Sequence, residues 1–300
     1  MSVSPLGSHV PIPIEPAVPA KRVLLLTHRS PEVTASGLPA ILSILEEAGL
    51  EVLVPAAEVV KHRVLAPYQS SDGKSLNAGG EDLILVLGGD GSILRALARE
   101  AGSGAPVIGV NYGRVGFLAS IELETLERDL RRALAGEYVV LGLPSLRAEW
   151  TDGEVHALND LALLRSGESR LADLTYAVDG ERVATVRCDG MILSTPVGST
   201  AYNLAAGGPT VSWRVRCMVI SFIAAFHLDT RPLVIAAEEL LTVTNSALTG
   251  DCDVLADGQR VGSLRPGRSI SVGLGGSQVH LAAFPEASFF RRYREKFGRP

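Results

Sequence analysis

The sequence has few cysteines, which cross-link small secreted proteins, and it lacks the long apolar runs that are typical of membrane proteins. It contains 3 cysteines in 300 residues, Cys188, Cys217 and Cys252. This odd set lacks metal-ligand spacing, so neither a disulfide framework nor a zinc cluster is expected. The longest apolar run, Met218 to Phe226, is about half the length that a membrane helix needs. These absences exclude a disulfide-rich or membrane protein and favour a cytoplasmic one.

An excess of positive charge is also missing. The formal net charge is −5 and there is no long basic run, so the usual electrostatic route to nucleic acid or an anionic membrane is missing. Hydrophobic residues make up 46% of the chain and charged residues 20%, which allows a substantial core and excludes a disordered, collagen-like or coiled-coil protein. A phosphate-bearing small molecule would have to be held by backbone amides and a few arginines.

The first residues do not have the pattern of a signal peptide. A basic segment followed by an apolar core is absent from residues 1–20, which instead carry Pro5, Pro11, Pro13, Pro16 and Pro19. This composition predicts a disordered, proline-rich arm.

The following segment, residues 21–125, alternates strand and helix patterns. Buried-strand runs occur at 22–27, 50–55, 83–87 and 106–110, with helical spacing at 37–48 and 92–101 between them. Such alternation is typical of a parallel sheet covered on both faces. The fold class predicted here is an α/β Rossmann-like N-terminal domain.

Short alternating strands dominate residues 126–283, after a helix expected at 123–135. Their predicted turns are Asp152-Gly153, Asp179-Gly180, Asp257-Gly258 and Gly275-Gly276, since such dipeptides supply the positive φ angles of two-residue hairpins. A mostly antiparallel β domain is therefore predicted. In the tail, 284–300, a terminal helix at 288–297 is expected to dock by its aromatic face.

The turn Gly88-Gly89-Asp90-Gly91 lies between an apolar strand and a helix. Ligands of open α/β sheets bind at this carboxyl end, where glycines allow backbone N–H groups to approach phosphate oxygens. An acid would repel a phosphate, so Asp90 is interpreted as a base or metal-facing carboxylate that meets a hydroxyl nucleophile. The alternative is a tight turn in which Asp90 only caps the helix.

A second segment, Asp189 to Pro209, gathers hydroxylated and small residues around one tyrosine. Ser199, Thr200 and Asn203 offer hydrogen bonds, and Tyr202 offers a ring for stacking. The segment therefore predicts a pocket for a planar heterocycle with polar edges.

With these motifs the chain closely resembles the NAD kinases, the actinobacterial members most of all, from about Lys21 to Phe297. The markers are Gly88 to Gly91, Gly109 to Leu118, Asn159-Asp160, Asp189 to Pro209, and Asp257 to Gln259. The resemblance implies the fold of the NAD kinases and diacylglycerol kinases. It also implies transfer of the γ-phosphoryl group of ATP, or of polyphosphate, to the 2′-hydroxyl of the adenosine ribose of NAD, which gives NADP.

The resemblance also implies roles for residues. Asp90 would be the general base, and Gly88, Gly89, Gly91 and Ser92 would lie nearest the donor phosphates. The residues implied to bind NAD are Asp90, Gly91, Arg95, Asn159, Asp160, Arg187, Asp189, Val197, Thr200, Ala201, Tyr202, Asn203, Leu204, Ala205, Ala224 and Gln259. Mg²⁺ would enter with ATP rather than on protein ligands, and the chain would form a homodimer or homotetramer.

One stretch departs from the family pattern. Phe226 stands where relatives usually carry a histidine, and His227 follows one position later, which on a strand would turn it to the opposite face. Substrate contacts around Ala224 depend on this stretch. Two alternatives therefore stay open: a non-catalytic sensor of NAD or NADP, and a lipid or sugar kinase that shares the glycine turn.

Overall fold

The computed structural model describes residues 14–16, 18–70, 82–113, 116–167 and 171–298. The chain divides into two compact units. Unit 1 contains the described residues up to Gly142 together with His280 onward, and unit 2 runs from Leu143 to Val279. The predicted boundary at 125/126 differs from this division. Helix Leu126–Leu134 contributes Leu130, Ala133 and Leu134 to the core of unit 1, which places it there.

In the described ranges the α-helices are α1 (Leu38–Glu47), α2 (Ala56–Lys61), α3 (Asp90–Arg99), α4 (Leu126–Leu134), α5 (Tyr202–Ala205) and α6 (Phe289–Phe297). The strands up to the middle of the chain are β1 (Ile14–Pro16), β2 (Arg22–Thr27), β3 (Glu51–Leu53), β4 (Asp82–Gly88), β5 (Val107–Asn111), β6 (Ile121–Glu122), β7 (Val139–Trp150), β8 (Gly153–Ala157) and β9 (Asp160–Arg165). They continue with β10 (Ala172–Val178), β11 (Glu181–Cys188), β12 (Gly190–Ser194), β13 (Cys217–Ile223), β14 (Leu233–Ala236), β15 (Leu241–Asn245), β16 (Cys252–Ala256), β17 (Gln259–Leu264) and β18 (Ser269–Ala283).

Unit 1 is built on a parallel sheet. Its strands run in the order β5, β4, β2, β3, with β6 parallel to β5 on the other side. Every residue of β4 and β5 is buried, which explains why both read as continuous apolar runs. The predicted α/β domain is confirmed. Of the predicted arm 1–20, residues 1–13 and 17 lie outside the described residues, and β1 pairs antiparallel with residues 139–141.

Helix α1 shows how the sequence builds this unit. Its buried residues recur at helical spacing, and Gly49, with φ of +67°, ends the segment in a conformation that favours glycine. At the far end of the chain, α6 brings Phe289 and Phe297 within 5.8 and 6.0 Å of the Phe117 ring, centroid to centroid. The predicted terminal helix with a docked aromatic face is confirmed, although Phe290 is 69% exposed.

Unit 2 is the predicted antiparallel β domain. One sheet has the order β14, β13, β12, β9, β16, β17, and β11, β10, β15 and β18 form a second antiparallel run. Apolar side chains from both sheets share one core.

Two of the four predicted hairpin turns match the structure. Asp179-Gly180 and Asp257-Gly258 have positive φ at both positions, as the tight hairpin needs. The other two predictions are wrong. Trp150 pairs with Gly153, so that turn is one residue earlier. Gly275 lies inside β18, where its φ of +142° is tolerated because glycine has no Cβ.

Candidate active site

In unit 1, the candidate site residues lie at the turn between β4 and α3. Gly89 precedes the helix in extended conformation and Asp90 is its first residue. The Asp90 carboxylate accepts the backbone N–H of Phe117 at 2.6 Å on Oδ2 and that of Leu118 at 2.9 Å on Oδ1. Two donors from one loop fix the orientation of the carboxylate. Each oxygen keeps a further lone pair that can accept a proton.

The glycines around Asp90 are required by close approaches. A Cβ on Gly116 would lie 2.2 Å from Asp90 Oδ1, and one on Gly88 would lie 2.6 Å from Ser92 Oγ. A Cβ on Gly89 would meet no atom within 4 Å. Gly116 therefore lets the loop approach the Asp90 carboxylate, and Gly88 lets the end of β4 approach Ser92 in α3, whereas the space where a Cβ of Gly89 would lie is open.

Arg95 lies one turn further along α3. Its Nη2 donates to Ser92 Oγ at 3.0 Å. Partial burial, and secondly the positive charge of Arg29, lower the pKa of this guanidinium from its usual value. A cation that is disfavoured in this way gains from any anion placed beside it.

In unit 2, the candidate site residues are grouped around Asn159 and Asp160, at the start of β9. The Asp257 carboxylate accepts three consecutive backbone N–H groups, from Leu158 at 2.9 Å, Asn159 at 2.7 Å and Asp160 at 3.2 Å. In return the backbone N–H of Asp257 donates to the Asp160 carbonyl at 2.9 Å. The Asp-Gly hairpin, whose turn chemistry alone could explain its sequence, thus also fixes the neighbouring Asn-Asp pair.

Asp160 itself is only 4% exposed. Burial, and secondly the negative charge of Asp257, raise its pKa to about 7, while a backbone N–H of Tyr202 opposes this rise. Asp160 therefore changes between a proton donor and a proton acceptor near neutral pH.

The segment after β12 packs directly on this pair. A Cβ on Gly198 would lie 1.9 Å from the Asn159 carbonyl oxygen, so only glycine fits there. The Thr200 hydroxyl donates to the Val197 carbonyl, and Tyr202 keeps 39% of its side chain exposed. Asn159, Asp160 and Tyr202, predicted from separate motifs, are therefore brought together.

Asn203 differs from the prediction that it binds NAD through its side chain. Its Nδ2 donates to the Ser199 and Pro209 carbonyls, its Oδ1 accepts the Ser221 hydroxyl, and it is fully buried. An amide with these partners has little capacity left for a ligand. Gly208 packs against the same amide, and the motif needs both residues for its internal framework.

Three further predicted residues of unit 2, Arg187, Asp189 and Ala224, lie at or next to strand ends. The Arg187 guanidinium binds both carboxylate oxygens of Asp173, at 2.8 and 2.9 Å, and Arg165 Nε donates to Asp189 at 2.8 Å. Ala224, at the end of β13, has φ of +46°, unusual for a residue with a Cβ. Further described positions are Val197, which is buried, Leu204, which is half-buried, and Gln259 and Ala205, which are exposed.

Comparison with known proteins identifies the family. The models of the ATP-NAD kinase N-terminal and C-terminal domains match residues 37–138 and 158–284. An NAD kinase of Corynebacterium diphtheriae is 33% identical over 290 residues, 93% of this chain and 92% of that protein. The chain belongs to the NAD kinase family. It is therefore a phosphotransferase that converts NAD to NADP.

Solved structures of relatives agree with the fold. An Archaeoglobus fulgidus NAD kinase in complex with ATP is 27% identical, with a TM-score of 0.70 over 91% of this chain and 98% of that one. A yeast NADH kinase complexed with NADH has a TM-score of 0.83 over 99% of this chain and 92% of that chain, at 23% identity. The second likeness carries the fold alone.

Part of one motif that marks the resemblance to NAD kinases lies outside the described residues. Arg114 and Val115 of the Gly109 to Leu118 motif lie outside the described residues. Among the residues that are described, no group of three or more His, Cys, Asp or Glu side chains could hold a metal ion. No helix within the described ranges is long and apolar enough to cross a membrane.

Sequence reasoning missed Arg292, on α6. It is 4% exposed, and burial lowers its pKa to about 10 against the opposing charges of Asp90, Glu122 and Glu295. The arginines of a terminal helix are usually interpreted as side chains that lie in solvent. The available signal was the spacing of Arg292 three residues after Phe289, which puts both on one side of the helix.

Proposed function

We propose that Asp90 is the general base of this NAD kinase. The 2′-hydroxyl of the adenosine ribose loses its proton to the Asp90 carboxylate as its oxygen forms a bond to the γ-phosphorus of ATP. The bond from that phosphorus to the bridging oxygen breaks, and ADP leaves with the electron pair. Positioned bases of this kind are needed because a secondary hydroxyl is a weak nucleophile.

The observation that carries this proposal is the pair of hydrogen bonds from Phe117 and Leu118 to Asp90. They hold the carboxylate of the first residue of α3, directly after the carboxyl end of β4. Open α/β sheets bind their ligands at such strand ends. A base with a fixed orientation loses little freedom when the substrate arrives.

The donor phosphates are proposed to bind at Gly88, Gly89, Gly91 and Ser92, where α3 begins. Backbone N–H groups and the helix dipole both favour an anion at this end. Arg95 is proposed to reach a phosphate, since its cation is disfavoured by burial and by Arg29. ATP is the donor, and Mg²⁺ is proposed to enter bound to its phosphate oxygens, which it prefers while keeping several waters.

NAD is proposed to bind in unit 2 at the surface formed by Asn159, Asp160 and Tyr202. The Asn159 amide can read the mixed donor and acceptor edge of adenine, and Asp160 can accept from ribose hydroxyls. Tyr202 offers an exposed ring for stacking. Arg187, Asp189 and Ala224 are proposed contacts of the nicotinamide half. Self-association as a dimer or tetramer and a cytoplasmic location are also proposed; the three buried free cysteines suit a reducing compartment.

The test replaces Asp90 by asparagine, which keeps shape and removes the base. Asp82→Asn is the matched control, since Asp82 lies at the opposite end of the same strand and binds Arg22. NADP formation is measured with NAD and Mg-ATP, and in parallel with polyphosphate and NADH. We expect kcat of Asp90→Asn to fall by about 10²- to 10⁴-fold at an unchanged circular dichroism spectrum. Turnover near that of the wild type would refute the role of Asp90.

A further inference from the structure

Helix α6 covers the ring of Phe117, the residue whose backbone N–H binds Asp90. Phe289 and Phe297 pack on this ring at 5.8 and 6.0 Å, and Lys296 Nζ lies 4.9 Å from its centroid. Phe117 is 2% exposed. The loop between β5 and β6, whose N–H groups at Phe117 and Leu118 bind Asp90, is therefore held at Phe117 by α6.

The same loop is also held at Ser120, its last residue before β6, by Arg292 of α6. Its Nη2 donates to the Ser120 hydroxyl at 3.1 Å, and this hydroxyl donates to the Ala282 carbonyl at 3.2 Å. The Ser120 backbone N–H bonds to Gly109 in β5. A chain of contacts thus leads from α6 through Ser120 to the loop, three residues away from Phe117.

The burial of Arg292 has an energetic cost. A charged side chain removed from water is unfavourable unless opposite charges and hydrogen bonds compensate. The acidic groups that favour its charge are, in decreasing order, Asp90, Glu122 and Glu295. The largest attraction is therefore to the carboxylate that is the proposed base.

The loop is not tightly filled on the Arg292 side. A pocket of about 220 Å³ is lined there by Gly116, Ala119, Ser120, Glu122 and Arg292, among others. Apolar packing is therefore incomplete on this side of the loop. The hydrogen bond from Arg292 to Ser120 is a directional contact at the edge of this space.

We propose that Arg292 is a positioning residue for the Asp90 carboxylate. It acts through the Ser120 hydroxyl, which fixes the loop whose N–H groups bind Asp90. This inference rests on the proposed function of Asp90 as the base. It assigns to the terminal helix a part in catalysis that lies beyond the contact residues of the substrates.

A merely structural role predicts a different result from a positioning role. Removing one charged member of a buried network costs stability, because the groups that faced it lose their partner. If Arg292 positions Asp90, Arg292→Met should therefore lose turnover per folded molecule at temperatures well below its melting temperature, whatever the change in that temperature. If Arg292 is only structural, activity should follow the folded fraction.

The experiment measures kcat, KM for NAD and ATP, and the melting temperature of four variants. Arg292→Met is expected to lower kcat by about 10- to 100-fold at nearly constant KM values, since small displacements of reacting groups cost this much. Arg292→Lys, which keeps the charge, should recover most of the loss. Ser120→Ala should also lower kcat. Arg291→Met is the control on the same helix, where Arg291 is exposed and pairs with Glu295; it should match the wild type.

The double variant Arg292→Met with Ser120→Ala completes the test. Because both side chains act through one contact, it should lose less than the product of the two single losses. Wild-type kcat in Arg292→Met, or equal losses in Arg292→Met and Arg291→Met, would overturn the proposal. Should Arg292→Met not fold, wild-type kcat in Ser120→Ala would overturn the link through Ser120. Asp90→Asn separates the two claims, since its full activity would refute the base and leave Arg292 without this role.

Discussion

Unit 1 and unit 2 each contain a carboxylate that accepts consecutive backbone N–H groups, but with opposite roles. In unit 1, the loop at Phe117 and Leu118 holds Asp90, and the carboxylate is the proposed reacting group. In unit 2, the Asp257 carboxylate holds the backbone of residues 158–160, and the residues that it holds are the proposed ligands of NAD. Hydrogen bonds of one kind thus orient the proposed base in unit 1 and the proposed NAD-binding surface in unit 2.

This difference separates chemistry from binding. Damage to the unit 1 loop should change the reacting geometry and lower kcat, because the loop touches the base. Damage to Asp257 should tilt the NAD-binding pair and raise KM, because no reacting group depends on it. A variant of the unit 1 loop that mainly raised KM, or a variant of Asp257 that mainly lowered kcat, would contradict this comparison.

The largest effect is expected for Gly116→Ala. The new Cβ would lie 2.2 Å from Asp90 Oδ1 and force the carboxylate away from its two donors. We expect a loss in kcat of about 100-fold with a much smaller change in KM, as for other displaced catalytic groups. Steady-state kinetics of NADP formation measure both.

Gly113→Ala is its matched control in the same loop region. A Cβ there would lie 3.7 Å from Asn111 Oδ1, an ordinary van der Waals distance. It should lose far less activity than Gly116→Ala. Equal losses in the two variants would show that the loop backbone, and not the approach of the Cβ to Asp90, is responsible.

An intermediate effect is expected for Asp257→Asn. Asparagine tolerates the positive φ of the hairpin but replaces one acceptor oxygen by a donor, so the N–H groups of residues 158–160 lose part of their partner. KM for NAD should rise by about tenfold, since a lost hydrogen bond to a charged group is worth roughly 1.5 kcal/mol. Asp179→Asn is the control, because Asp179 has the same φ and its carboxylate accepts a backbone N–H from Leu240. A rise in KM in both variants would contradict the assignment.

The last prediction concerns stability and its dependence on pH. The pKa of Asp160 is raised to about 7 by burial and by Asp257, so in this range the folded chain keeps a proton that the unfolded chain has lost. The contribution of Asp160 is fully present below about pH 4 and disappears as the pH rises through about 7. The free energy of unfolding should fall by at most about 1.4 kcal/mol per pH unit. Denaturant unfolding between pH 4 and 8 measures this slope, and the Asp160→Asn variant should lack it. If the free energy of unfolding depended on pH in the same way in the wild type and in the variant, the raised pKa of Asp160 would be contradicted.

Local patterns in the sequence were sufficient for the fold and for the strand-to-helix turn. The buried runs of β4 and β5 and the glycines before α3 define a parallel strand, its end and the position of Asp90 without long-range information. The same holds for the Asp-Gly hairpins, where the chemistry of two residues sets the backbone.

Long-range contacts could not be read from the sequence. Nothing near Asn203 indicates that Ser221 would occupy its amide oxygen, and nothing near Asp257 indicates that residues 158–160 would be its partners. Gly275-Gly276 looked like a turn because the extended conformation of β18 depends on strand partners distant in sequence. Arg292 was missed for the same reason, since its partner Ser120 is 172 residues away.

The return of the chain to unit 1 has a consequence for how the protein is made. His280 and the residues after it are synthesised after all of unit 2, yet Leu281 pairs with Val107 in β5 and α6 covers Phe117. Until these residues have been synthesised, unit 1 lacks both, and Val107 in β5 stays unpaired on the side that later binds β18. The contacts of α6 with Phe117 can form only after residues 289–297 have left the ribosome.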